Sequence, residues 1–311
     1  MTEGKRRKQI HLGAHFPAAN DIGQHGFDSF RRVAQTAEHG LFDFFFLSRP
    51  DTFTVLAALA AVTERLGLAG SVDTTGNEPF EVARQFATLD HLSDGRAAWN
   101  IVTTSQLFTG ANDQRTEEFL TVARKFWDSW DADALVADEE SGTYVAPDRV
   151  HTVEHHGAHF DVRGLATLPA GPQGPPVLLQ AGDSPDGHNF GARHADAVVI
   201  PHSELAAGQE YYADVKARVV ANGRNPDQVK VFAVVRGEQL VGTPERVADE
   251  LDLHVQSDAC DGFILVPHLT SGGLDDFVGK VVPLLQERGS FRSEYSGTTL
   301  RDQLGMATGL G

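Results

Sequence analysis

Residues 89–105 read LDHLSDGRAAWNIVTTS, and this stretch indicates the fold more clearly than any other part of the chain. Its first residues end a helix, in which apolar side chains recur about every 3.6 positions from Val82 onward. Gly95 can adopt the positive φ that commonly follows a helix end. Residues 96–102 then form a short apolar run, as expected for a strand that is buried on both faces. The stretch therefore predicts a helix followed by a buried strand.

Strand-like and helix-like segments alternate along the rest of the chain. The predicted strands are 8–16, 42–47, 68–72, 96–102, 176–180, 197–201, 229–235 and 262–266. The predicted helices are 27–39, 53–66, 78–92, 116–130, 187–194, 205–221, 244–255 and 274–288. This alternation predicts an α/β fold, a (β/α)8 TIM barrel. A doubly wound open sheet is the alternative, which the absence of a GxGxxG motif after any strand disfavours.

The chain length favours one barrel domain over residues 1–311 rather than two small domains. Residues 131–174 break the alternation, so we expect an irregular excursion before the fifth strand, with a hairpin around 159–162. The tail, residues 291–311, is expected to pack across the barrel or a neighbouring subunit. Thr52 and Thr243 are expected to be the N-caps of the helices that follow them.

The composition excludes several classes of protein. A net charge of −17 argues against nucleic acid or an anionic membrane as partner. No apolar run approaches the length of about 18 residues that a spanning helix needs. The basic start of the chain lacks the apolar region of a signal peptide. Cys260 is the only cysteine, which rules out an intrachain disulfide and suits a cytoplasmic protein.

Ligands of such barrels bind at the carboxyl ends of the strands, where this chain has hydroxyls, amides and histidines. His15, His202 and His268 are the candidates for substrate contact or proton transfer, because an unperturbed imidazole titrates near neutrality. Arg236 also ends a predicted strand. No carboxylate pair and no nucleophile elbow accompany these residues. The pattern is typical of a site that orients a cofactor.

A second group of histidines raises the question of a metal site. His155, His156 and His159 lie close together, but they lack the helical spacing and the glutamate of a zinc protease motif. We therefore expect no metal there.

GRAAWNIVTTS closely resembles the GRAGWNIVTS-like signature of the nitrilotriacetate and dibenzothiophene-sulfone monooxygenases. These enzymes belong to the flavin-dependent, bacterial-luciferase-like superfamily. Residues 74–103 follow the family pattern almost without a gap. Three further segments do so as well: PPVLLQAG at 175–182, YYADVKAR at 211–218, and GGLDDFVGKVVPLLQERGSFRSEYSGTTLRDQLG at 272–305. The resemblance thus extends from the first strand to the tail.

The resemblance implies a two-component monooxygenase. Reduced FMN would come from a separate flavin reductase, react with dioxygen, and so oxygenate a small organic substrate. Thr74, Asn100 and Thr103 would contact the flavin ring and ribityl chain. The turn of Gly182, Asp183 and Ser184 would bind the flavin phosphate at a helix N-terminus. The superfamily also implies a homodimer.

The sequence departs from the family pattern at four places near this site. Relatives have two serines where this chain has Asp183 and Ser184, and a carboxylate there would repel the phosphate. FLSRP replaces the FLADS of relatives, so an acidic residue is missing. The loop SQLFTGANDQRTEE is shortened, with Asp113 where relatives have tyrosine. EQLVGTPER joins the seventh strand directly to its helix, where relatives have a long insertion. We therefore expect weak FMN binding, improved by Asp183→Ser, with Arg115 as the compensating cation.

Two other functions remain open. The first is a deazaflavin- or flavin-dependent oxidoreductase that transfers hydride on the same barrel. The second is a non-catalytic, flavin-binding accessory protein, which Asp183 and the two shortened loops favour. Titration with reduced and oxidised FMN distinguishes these functions from the monooxygenase.

Overall fold

The computed structural model describes residues 7–16, 26–48, 51–102, 113–182, 185–266 and 273–307. Within these residues eight parallel strands close into a barrel. The barrel strands are β1 (His11–Phe16), β2 (Phe44–Leu47), β3 (Gly67–Asp73), β4 (Ala97–Val102), β9 (Val177–Ala181), β10 (Ala197–Pro201), β11 (Lys230–Arg236) and β12 (Gly262–Val266). Their order around the barrel is β1-β12-β11-β10-β9-β4-β3-β2. The predicted TIM barrel is confirmed, and the open sheet is excluded because β1 pairs with both β2 and β12.

Helices follow the strands. They are α1 (Phe27–His39), α2 (Thr52–Ala60), α3 (Pro79–Leu92), α4 (Asp113–Trp127), α5 (Pro185–His194), α6 (Leu205–Ala221), α7 (Pro244–Gln256), α8 (Gly273–Asp276), α9 (Val282–Glu287) and α10 (Leu300–Gln303). Thr243 is the N-cap of α7, as predicted. The prediction for Thr52 was wrong: Asp51 caps α2 by accepting from Thr54 N, and Thr52 is the first helical residue.

Two helices depart most strongly from the predicted ranges. Helix α2 ends at Ala60, not at residue 66, because the buried Arg96 guanidinium donates to the carbonyls of Ala60, Thr63 and Leu66. Those carbonyls thus obtain partners outside a helix. The predicted helix 274–288 is interrupted by a π-helical turn over Phe277–Val281. Pro283 lacks the backbone N–H that would donate to the carbonyl four residues earlier in an α-helix, and this explains the widened turn.

The barrel separates two layers of core. Side chains on the inner face form a cluster with Phe44, Phe232 and Leu179, whereas those on the outer face pack against the helices. Leu300 and Leu304 of α10 belong to the inner cluster, and Leu300 N donates to Gly95 O in the turn before β4. The tail therefore packs across the amino end of the barrel, one of the two places predicted for it.

The excursion before the fifth barrel strand contains two hairpins. The predicted hairpin is β7 (Val153–His156) with β8 (Asp161–Gly164). The strands β5 (Leu135–Asp138) and β6 (Thr143–Val145) form a second hairpin, which the sequence did not reveal because its residues are largely exposed and follow no apolar pattern. None of the helices in the described ranges has the length and apolar character that a membrane crossing requires.

Candidate functional site

The candidate site lies at the carboxyl ends of the barrel strands. Strand residues alternate between the two faces, so polar side chains two positions beyond the inner cluster face the mouth of the barrel. Ser48, Ser71, Asn100 and Arg236 occupy such positions on β3, β4 and β11 and just after β2. His15 of β1 is in register with Phe46, a member of the inner cluster. The structure thus places polar groups from five barrel strands around one opening.

Only one of the two polar atoms of the Asn100 side chain has a hydrogen-bond partner among the described residues. Its side chain is buried, and its Nδ2 donates to Ser71 Oγ at 2.9 Å on the neighbouring strand β3. Its Oδ1 is also buried and has no hydrogen-bond partner among the described residues. A buried amide oxygen without a partner is costly in free energy, so the site is suited to a ligand that donates a hydrogen bond.

His15 stands beside this opening as a neutral imidazole. Its Nε2 lies 2.8 Å from Ser48 Oγ, and its ring packs on Phe46 with 5.0 Å between ring centres. Burial, together with the positive charge of Arg236, lowers the pKa of His15 to about 4. Proton transfer at neutral pH requires a pKa near neutrality, so the structure favours His15 as a hydrogen-bonding contact.

His202 follows β10, and its side chain packs against helix α7. Its Nε2 lies 3.7 Å from Glu250 Oε1, and its ring centre is 5.1 Å from that of His254. Burial and the nearby His254 lower the pKa of His202. Its Nδ1 is buried and lacks a partner within the described part of the chain. Glu250 and His254 were not predicted, because only the folded chain brings α7 beside the end of β10.

Contacts of Thr74 and Arg115 link neighbouring elements beside the mouth of the barrel. Thr74 Oγ1 lies 3.0 Å from Thr116 Oγ1 at the start of α4, and the side chain is buried. Arg115 donates to Thr74 O and lies over the Phe160 ring, with 4.7 Å from its Cζ to the ring centre. Both residues thus join β3, α4 and the β7–β8 hairpin. Their proposed contacts with a flavin stay predictions.

Gly182 directly follows β9 and borders a cleft of about 450 Å³ between the ends of β9, β10 and β11. A Cβ at Gly182 would lie 2.9 Å from Gln180 Nε2, so a side chain here would crowd the buried Gln180. Other lining residues are Ala181, Val199, Ile200, Pro201, His202, Val234, Arg236 and Gln239. The remaining predicted site residues, Thr103, Asp183, Ser184 and His268, lie outside the described residues.

The histidines of the β7–β8 hairpin have structural partners. His155 Nε2 lies 3.0 Å from Glu118 Oε1 of α4, and His156 Nδ1 lies 2.9 Å from Asp161 Oδ1. Glu118 also accepts from the backbone N–H groups of His159 and Phe160. Across the described ranges, no three His, Cys, Asp or Glu side chains are grouped in a way that could hold a metal ion.

The sequence profile of the luciferase-like monooxygenases matches residues 9–236. The chain belongs to this family. It is 33% identical to dibenzothiophene-sulfone monooxygenase of Rhodococcus erythropolis (strain XP), over 97% of each chain. It is 31% identical to nitrilotriacetate monooxygenase component A of Aminobacter aminovorans, over 96% of this chain and 94% of the relative. Family membership confirms the predicted resemblance and the predicted class, a monooxygenase.

The solved structures agree with this placement. A crystal structure of riboflavin lyase with modified FMN and riboflavin superposes with a TM-score of 0.89 and 28% identity, over 97% of both chains. The alignment with the Rhodococcus relative extends over 441 positions, whereas this chain has 311 residues. The relative therefore carries segments that this chain lacks, consistent with the shortened loops seen in the sequence.

Proposed function

We propose that this protein is a two-component monooxygenase that uses reduced FMN from a separate flavin reductase. Dioxygen and a small organic molecule would be its other substrates. The observation that carries the proposal is the buried Oδ1 of Asn100 at the mouth of a luciferase-like barrel, an oxygen without a hydrogen-bond partner among the residues that the structure describes. The ring of FMN offers an N–H group, which is the hydrogen-bond donor that this oxygen requires.

The residues at the mouth fit a flavin. Asn100 would accept from the ring, and Ser71 would keep the amide oriented through its contact with Nδ2. Thr74 and Thr103 would contact the ring and ribityl chain, and the turn of Gly182, Asp183 and Ser184 would receive the phosphate. When bound, reduced FMN supplies the electrons for activating dioxygen.

The histidines would contact the substrate rather than transfer protons at neutral pH. His15 is held by Ser48 and remains neutral, since its pKa is about 4. It can therefore exchange a hydrogen bond with a substrate without introducing a charge. His202, whose pKa is also lowered, lines the cleft next to Gly182. His268 is proposed as the third such residue.

A comparative titration separates this function from the two alternatives. Purified protein is titrated without oxygen with reduced FMN, oxidised FMN and a reduced deazaflavin. A monooxygenase binds reduced FMN more tightly than the other two, whereas a hydride-transfer enzyme of the deazaflavin type prefers the deazaflavin. Subsequent exposure to dioxygen then consumes bound reduced FMN in an enzyme. An accessory protein would bind both FMN forms alike and leave the rate of flavin oxidation unchanged.

The cellular location and the oligomeric state are proposals as well. A single cysteine, buried in the structure, suits the reducing cytoplasm. We also propose a homodimer, by analogy with the superfamily. Small organic substrates remain the expected partners, and the net charge of −17 disfavours nucleic acid and anionic membranes.

A further inference from the structure

We propose that Arg236 binds the acid group of an anionic ligand in the cleft between β9, β10 and β11. The inference rests on the proposed function, because it assigns a binding role within that same site. The acid group would be either the phosphate of FMN or a carboxylate or sulfonate of the organic substrate. Both present oxygens that a guanidinium can bind with two parallel hydrogen bonds.

The position of Arg236 supports this role. It is the last residue of β11, and its backbone N donates to Gln239 Oε1 at 2.8 Å in the turn that follows. Val234, two positions earlier, packs against the inner cluster of the barrel. Arg236 therefore lies on the same, inner face of β11 as Val234. Arg236 is exposed at the mouth of the barrel and is not packed into the core.

The lining of the cleft also fits a small organic acid. Ala181, Val199 and Val234 supply a small apolar surface, and Gly182 contributes no side chain. Of the described residues that line the cleft, Arg236 alone carries a permanent charge. An acid group would therefore meet its counterion at one end of the cleft, while an apolar body would lie against the other residues.

The electrostatics of the mouth agree with the geometry. The charge of Arg236 helps to lower the pKa of His15, so its positive potential reaches the opening of the barrel. Arg115, the cation expected from the sequence, has a different environment. Its guanidinium donates to Thr74 O and lies over Phe160, on the side of α4 and the β7–β8 hairpin. Arg236 lines the cleft and Arg115 does not, so Arg236 is better placed than Arg115 to bind an acid group there.

The test compares wild type with Arg236→Gln, and uses Arg163→Gln as the matched control for loss of one charge. Arg163 lies on β8 with 76% of its side chain exposed and pairs with Glu154. Dissociation constants are measured without oxygen for reduced FMN and for reduced riboflavin, which lacks the phosphate. Succinate and methanesulfonate are then titrated into the FMN-loaded proteins by calorimetry.

If Arg236 binds the phosphate, Arg236→Gln weakens the binding of reduced FMN about 10- to 100-fold and leaves the affinity for reduced riboflavin unchanged. If it binds the substrate's acid group, both flavins bind as in wild type, and the variant loses the binding of succinate or methanesulfonate. The inference is overturned if Arg236→Gln matches the control in all four titrations. Failure of the proposed function looks different, because wild type itself would then bind no reduced flavin.

Discussion

At the scale of single residues, Asn100 shows why the site is prepared for a ligand. Its Nδ2 is fixed by Ser71, whereas its Oδ1 is buried without a partner in the described chain. A residue kept only for stability would not normally retain such an oxygen, because the oxygen has lost water and gained nothing. A bound donor removes this cost.

We predict that Asn100→Leu separates binding from stability. Leucine has a similar volume and lacks the unsatisfied oxygen, so the free energy of unfolding of the flavin-free protein should change by less than about 1.5 kcal/mol. The affinity for reduced FMN should fall about 10-fold or more. Denaturant unfolding and anaerobic titration measure the two quantities. A large loss of stability with unchanged flavin affinity would make Asn100 a structural residue.

His15 gives a prediction about pH. The folded side chain takes up a proton near pH 4, whereas its ordinary pKa is 6.5. The unfolded state therefore binds more protons between these values, so stability is complete above pH 6.5 and is lost as the pH falls towards 4. Between pH 7 and pH 5, the free energy of unfolding of wild type should fall by on the order of 1–2 kcal/mol more than that of His15→Gln. Equal losses in both proteins would show that His15 titrates normally.

The sequence could identify residues that end strands, but not the partners that these residues meet. Asn100 was found because its strand was unmistakable and buried amides need partners. Ser71 was missed, although a polar residue in the otherwise apolar run GLAGSV was a usable signal. Glu250 and His254 were missed for a different reason: they approach His202 only through the packing of α7 on the barrel.

At the scale of elements, Glu118 connects the β7–β8 hairpin to α4. Its carboxylate accepts from His155 Nε2 and from the N–H groups of His159 and Phe160. We predict that Glu118→Ala releases the hairpin without unfolding the barrel, because these three hydrogen bonds are lost together. Hydrogen exchange should rise in residues 153–164 and remain unchanged in β3 and β4. An exchange pattern identical to wild type would contradict this role.

Helix α10 supports the barrel from the end opposite the site. Leu300 is fully buried in the inner cluster, whereas Leu253 on α7 is 52% exposed. Leu300→Ala should lower the free energy of unfolding by about 2–5 kcal/mol, and the matched control Leu253→Ala should change it little. Below the unfolding transition, reduced FMN should still bind normally. Loss of flavin affinity in the folded variant would show that the tail also shapes the mouth.

The elements themselves were largely predictable, since apolar periodicity marks both strands and helices. Their ends were less so. Helix α2 stops early because Arg96, distant in sequence, binds its last carbonyls. The π turn before α9 depends on Pro283 within an otherwise regular helical pattern. Neither effect follows from periodicity alone.

At the scale of the whole molecule, we predict that two chains associate. Sedimentation at micromolar concentration should give a particle of about twice the chain mass of 33.6 kDa. A homodimer would bury further apolar surface, so dilution should lower the thermal stability. A single species of 33.6 kDa at all concentrations would remove this prediction.

We propose that the mouth of the barrel binds reduced FMN. The most direct measurement is a crystal structure of the protein grown or soaked with reduced FMN in the absence of oxygen. We expect a flavin ring over the carboxyl ends of the strands, with a ring N–H about 3 Å from Asn100 Oδ1. A flavin bound elsewhere, or no flavin at saturating concentration while the mouth stays open, would contradict it.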